Sequence, residues 1–141
     1  MSIAEKEQTV IEEFSLFEDW MDKYSYLIEL GKELPLIDEK YKTNQYVISD
    51  CQSRVWLHAE LKEHKIFFTA DSDAVITKGI ISLLIRVLSG HPPKEILEAK
   101  LDFLEQIGLK EHLSPTRANG LSSMVKQMML YARAFQIKMN Q

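Results

Sequence analysis

A change of period in the middle of the chain constrains the fold more than any other feature. Val55, Leu57, Ala59 and Leu61 alternate with Arg54, Trp56, His58, Glu60 and Lys62. Ile66, Phe68 and Ala70 resume the alternation after the polar stretch Lys62-Glu63-His64-Lys65. A period of two lines one face of a strand with apolar side chains. The segment therefore predicts an antiparallel hairpin with one face toward a core. Val47 and Ile48 stand where an adjacent strand would start, giving a sheet of about three strands.

On both sides of the hairpin the period is helical. Phe17, Trp20, Met21, Tyr24, Leu27 and Ile28 form one apolar face, and Gly31 and Pro35 are stop signals. Ile76, Ile80, Leu83, Leu84, Val87 and Leu88 mark Ala74 to Leu88 as the central buried helix. Leu121, Met124, Val125, Met128, Tyr131, Ala132 and Phe135 form a long final stripe, in which methionine serves as core filler. Ser2 with Glu5 and Ser15 with Glu18 both fit a capping box. Asp71-Ser72-Asp73 offers caps for the central helix. Gly90 and Pro92-Pro93 end that helix, and short helices fit Lys94 to Leu97 and Leu101 to Ile107, the second ended by Gly108. Ser114-Pro115 is a cap followed by proline at the first helical position. Helices, a small antiparallel sheet, then helices predict an α+β fold with the helices packed on one face of the sheet.

At 141 residues the chain fits one domain, 1–141. Its net charge of −4, with both signs mixed along the sequence, argues against nucleic-acid binding. Glu5, Glu7, Glu12 and Glu13 crowd the first residues, and no basic segment precedes an apolar run. The longest apolar stretch, Ile80 to Leu88, is too short to span a membrane. A cytoplasmic location is the expectation. The single cysteine, Cys51, forms no intramolecular disulfide and builds no Cys-rich metal or cluster site.

Cys51 lies where a polar loop meets the first clear strand. Two readings are open at that level: a thiol presented on a scaffolded loop, or a small inert core residue. His58, His64, His91 and His112 do not share a helical face; His112 is the nearest to a candidate base. Lys78 reads as a solvated helix position.

The segment Cys51-Gln52-Ser53-Arg54-Val55-Trp56-Leu57 resembles the Cys-Gln-Ser-x-Val-Trp-Leu motif of the SufE family. Ala70-Asp71-Ser72-Asp73-Ala74 followed by Lys78-Gly79 is similar to the family's segment before its central helix. Leu113-Ser114-Pro115-Thr116-Arg117-Ala118-Asn119-Gly120-Leu121 is similar to a third block. The blocks come in the family's order, and the likeness runs from about Phe17 to Phe135. The resemblance implies the compact α+β fold shared with IscU-like scaffolds. It also implies that Cys51 takes sulfur as a persulfide from a SufS-like cysteine desulfurase, stimulates that enzyme, and passes the sulfur to an iron–sulfur scaffold. The chain would then be a sulfur carrier rather than an independent enzyme, a monomer or weak homodimer. It would bind no cofactor, since pyridoxal phosphate belongs to the desulfurase. Asp50, Gln52, Ser53, Asp73 and Arg117 are implied as loop support or docking residues. Asp50 stands where the family has glycine; a carboxylate facing the sulfur would disfavour its thiolate unless Arg54 or a partner offset it. Two further classes stay open: a one-cysteine thiol peroxidase or redox sensor, and a desulfurase regulator that carries no sulfur.

Overall fold

The hairpin forms where the alternation places it. A computed structural model describes residues 1–49 and 51–141. In it β1 (Val55–Lys62) and β2 (Lys65–Ser72) pair antiparallel, Val55 opposite Ser72 and Lys62 opposite Lys65. Glu63 and His64 turn the chain with positive φ, 51° and 67°, the backbone that matches the twist of a two-residue hairpin. Val55, Leu57, Ile66, Phe68 and Ala70 face inward and are buried. Among the described residues the sheet has these two strands. Val47 adds a single bridge to Trp56 in place of the third strand, and the Ile48 N–H donates to the Val55 carbonyl at 2.8 Å. A 3-10 turn at Asn44–Tyr46 precedes this pair and the cysteine loop follows it, so the extended segment has no room to lengthen.

The free edge of β2 is covered by the chain itself. Ala70 exchanges backbone bonds with Pro35 and Ile37, Ile66 with Gly90 and His91, and the Phe68 N–H donates to Ser89 Oγ. Such cover removes an edge that would otherwise pair with other chains.

Helices surround the inner face. α1 (Ile3–Phe14) starts at the expected capping box of Ser2 and Glu5. The second capping box does not form. Ser15 closes α1 instead, its N–H bonded to Ile11 and its hydroxyl to Glu12, and Asp19 caps α2 (Trp20–Gly31) by accepting from the Asp22 N–H. Met21, in the first turn of α2, is 77% exposed rather than part of the apolar face, which runs through Leu27, Leu30 and Gly31. α3 (Val75–Leu88) follows β2 directly. Its N-cap is Ala74, without a side-chain cap, because Asp71 and Ser72 are still in the strand and Asp73 is engaged elsewhere. The short helices α4 (Pro93–Glu98), α5 (Phe103–Gln106) and α6 (Leu109–His112) lead to α7 (Pro115–Met139), capped by Ser114. Gly108, with φ of 77°, makes the left-handed turn between α5 and α6.

Only Val75, Lys78 and Arg86 of α3 reach solvent; the rest of the helix is buried. α2 lies close across it. A Cβ on Gly31 would sit 3.0 Å from the Gly79 nitrogen, and a Cβ on Gly79 would overlap the Leu27 carbonyl, 2.8 Å from its carbon. Rigid backbone stands on both sides, so relief would require the helices to part. Gly79→Ala is therefore expected to destabilise the fold by about 3 kcal/mol, read as a lower urea midpoint with the slope unchanged.

Candidate functional site: the Cys51 loop

The cysteine loop leaves the hairpin base after Ile48 and returns at Val55, and three elements fix what lies between. At its end, the Arg54 N–H donates to Asp73 Oδ1 at 3.0 Å, and the Asp73 N–H donates to the Arg54 carbonyl at 3.3 Å. Asp73 thus clasps the loop to the end of β2 and does not cap α3. In the middle, Ser53 Oγ lies 3.2 Å from Thr77 Oγ1 in the first turn of α3. At the tip, Cys51 Sγ points at the Gly120 carbonyl of α7 from 3.8 Å. A Cβ on Gly120 would stand 3.4 Å from the sulfur. The backbone at 120 is the seat on which the sulfur rests.

Cys51 is half-buried, Gln52 is exposed and Ser53 is half-buried. All three line a small cleft with Thr77, Thr116, Arg117 and Gly120. Arg117 is exposed in the first turn of α7, and its N–H donates to the Ser114 hydroxyl. Among the described residues it makes no ion pair. The cleft holds about 10 Å³, at the lower limit for one water molecule. Among the described lining residues none carries an imidazole or a carboxylate. Asp50, singled out by the sequence, lies outside the described residues.

The structure thus brings Cys51, Gln52, Ser53 and Arg117 together, with Asp73 one tie away. Two contributors were not singled out. Gly120 lies inside the third sequence block, but its role depends on the loop arriving opposite it. Thr77 had a signal: a hydroxyl three residues before Ile80 falls on the apolar face of a buried helix.

The histidines are engaged elsewhere. His112 stacks on Trp20 with centroids 4.1 Å apart, its Nδ1 3.0 Å from the Gly108 carbonyl. His58 stacks on Tyr41 at 3.8 Å on the outer face of the sheet, and burial holds its pKa below the ordinary value. His64 sits in the hairpin turn. His91 is buried, and its Nε2 has no hydrogen-bond partner among the described residues. Lys78 is not merely solvated. It reaches Asp71 at 3.4 Å, and Lys42 reaches the same carboxylate at 2.6 Å. Burial would raise the Asp71 pKa, but the bonds from Lys42 and the Ser72 N–H and the charge of Lys78 together bring it below normal. Among the described residues no group of three or more His, Cys, Asp or Glu could hold a metal ion, and no helix is long and apolar enough to cross a membrane.

The family described as "SufE: Fe-S metabolism associated domain" matches residues 8–132. The chain is 38% identical over 134 residues to "SufE-like protein 1, chloroplastic/mitochondrial" of Arabidopsis thaliana, covering 94% of this chain and 36% of that one. An uncharacterized SufE-like protein of Rhizobium meliloti (strain 1021) is 39% identical over 124 residues, 84% of this chain and 89% of its own. One from Synechocystis sp. is 38% identical over 128 residues, 91% and 80%. The chain thus spans about a third of the plant relative and most of the bacterial ones. The solution structure of a hypothetical protein from Thermus thermophilus has the same fold, with a TM-score of 0.76 at 22% identity over 92% of this chain and 94% of that one.

The seat under the sulfur makes a graded prediction. Gly120→Ala adds a methyl at ordinary contact distance and should leave the alkylation rate of Cys51 within about twofold, whereas Gly120→Val should lift the loop and raise the rate about tenfold; the twofold and tenfold bounds convert energies near those of a methyl contact and a core overlap. Iodoacetamide kinetics on folded protein read both.

His91 makes a second prediction. Its pKa lies below the ordinary imidazole value because of burial first and the positive charge of Lys6 next; Glu95 opposes, and the N-terminus and Lys65 add to the lowering. The folded state then binds fewer protons than the unfolded one. Stability is full above about 6.5 and is lost as the pH falls through the depressed folded value. Urea midpoints at several pH values between about 7 and 5 should fall more steeply for the native protein than for His91→Gln.

Proposed function

Because the chain belongs to the SufE family of Fe-S metabolism associated domains, we propose that it accepts sulfane sulfur from a pyridoxal-phosphate-dependent cysteine desulfurase as a persulfide on Cys51, stimulates that enzyme, and delivers the sulfur for iron–sulfur cluster assembly. The observation that carries this reading is the placement of the one thiol: at the tip of a loop, clasped at its base and resting on α7 by contacts that can be exchanged. A cleft of about 10 Å³ favours a reaction in which the sulfur is carried out to another protein over one in which a substrate enters.

The step is an exchange at sulfur. The Cys51 thiolate attacks the outer sulfur of the desulfurase persulfide. A new S–S bond forms on Cys51, the old S–S bond breaks, and the desulfurase cysteine leaves as a thiolate that takes up a proton. No net oxidant is needed. Rate depends on the thiolate fraction and on access to the sulfur. Gln52 and Arg117, exposed beside the thiol, are positioned to meet the partner, and Asp73 to hold the loop's return strand. A cytoplasmic site of action is part of the proposal, since a reducing compartment keeps such a thiol reactive.

The test incubates the protein with a cysteine desulfurase and cysteine, then records intact mass without reductant. One or more sulfur atoms are expected on the native chain, mapped to Cys51 and absent from Cys51→Ser. Faster desulfurase turnover with no sulfur on Cys51 would instead identify a regulator. Rapid consumption of hydrogen peroxide through Cys51 without a desulfurase would identify a peroxidase.

A further inference from the structure

Thr77 is a polar residue in an apolar place. It is 6% exposed, between Ile76 and Ile80 on the most enclosed helix of the fold. A buried hydroxyl needs a partner, because leaving it unpaired costs more than a made hydrogen bond returns. Valine has nearly the same shape and needs none. The side-chain partner of Thr77 is the hydroxyl of Ser53, two residues from Cys51, at 3.2 Å. Both hydroxyls line the cleft that holds the sulfur.

We propose that Thr77 is a positioning residue for Cys51, its hydroxyl and that of Ser53 forming a latch that holds the thiol loop down and sets how readily the sulfur is reached. The other ties do different work. The Arg54–Asp73 clasp and the Ile48–Val55 bond lie at the base of the loop and anchor its hinge. The contact at Gly120 is a seat of 3.8 Å with little directional strength. Among the described residues the hydroxyl pair is a directional side-chain bond between tip and base. When the loop lifts, water replaces each hydroxyl's partner, so the latch biases the loop closed without locking it. One such bond shifts the closed-to-open ratio by about fivefold. The consequence for sulfur transfer rests on the acceptor reading above; the latch itself does not.

The test measures the rate of Cys51 alkylation by iodoacetamide in the folded chain, for the native protein, Thr77→Val, Thr77→Ser, Ser53→Ala and the Thr77→Val/Ser53→Ala pair. Thr77→Val and Ser53→Ala should each raise the rate about fivefold, and the pair no further than either alone. Thr77→Ser, which keeps the hydroxyl, should stay near native. The raised rates should not change in low urea, the mark of local opening rather than global unfolding. A native rate in Thr77→Val, a rate in Thr77→Ser as high as in Thr77→Val, additive effects in the pair, or a raised rate that climbs from the first addition of urea would each overturn the latch. The same variants are then loaded by a desulfurase. Loading that follows the alkylation order supports both proposals. If the alkylation order holds but no variant takes up sulfur, the latch stands and the acceptor reading falls.

Discussion

The enclosure of α3 is the constraint on which the rest depends. A helix that is apolar nearly all round has no stable place at a surface. It needs cover on every side, and the chain supplies it in three ways. The inner face of the hairpin presents Leu57 and Phe68, α2 crosses at the Gly31–Gly79 contact, and α7 brings Met124 and Met128. Burying a single leucine or isoleucine contributes roughly 1.5–3 kcal/mol, so Ile80, Ile81, Leu83, Leu84 and Leu88 together outweigh any polar tie in the molecule. The solvent-facing exceptions are also used. Arg86 pairs with Glu13 of α1, and Lys78 with Asp71 of β2.

A helix held this firmly gives a rigid reference at its first turn. The cysteine loop has little core of its own and borrows order from that reference. Its ties form a hierarchy. Backbone bonds at Ile48–Val55 and the two-way clasp of Arg54 and Asp73 fix where the loop starts and ends. The Ser53–Thr77 pair and the seat on Gly120 fix where the tip rests. Among the described residues, backbone bonds hold the base and side-chain contacts hold the tip.

The elements legible in the sequence were those set by local rules. The hairpin register follows from period two, and its turn sits in the polar stretch at Glu63 and His64. The start of α7 follows from Ser114-Pro115, and the end of the short α5 region from Gly108. What was not legible depends on partners distant in the chain. Ser15 and Asp19 are both competent caps, and which one begins α2 is decided by how α1 finishes. Asp73 has a cap's sequence position, yet Arg54, far earlier in the chain, claims its carboxylate. Gly120 looks like an ordinary helical glycine until the sulfur is placed over it. The site's chemistry was readable as one cysteine in a motif; its mechanics were not, because they lie in contacts between segments.

The described residues of the cleft wall bear on how a thiol there would react. An ordinary thiol near pKa 8.5 is only about a few per cent ionised at neutral pH. Enzymes that use cysteine alone usually set an imidazole or a helix end beside it to raise that fraction. Here the histidines stack on Trp20 and Tyr41, occupy a turn, or are buried at His91. The cation that lines the cleft among the described residues, Arg117, is exposed, where water and salt weaken its pull on a thiolate. On the proposed reading this is a division of labour. The chain contributes position and a modest restraint, and the partner contributes charge when it excludes water from the same surface. Reactivity then depends on docking, which is the property a carrier of sulfane sulfur requires.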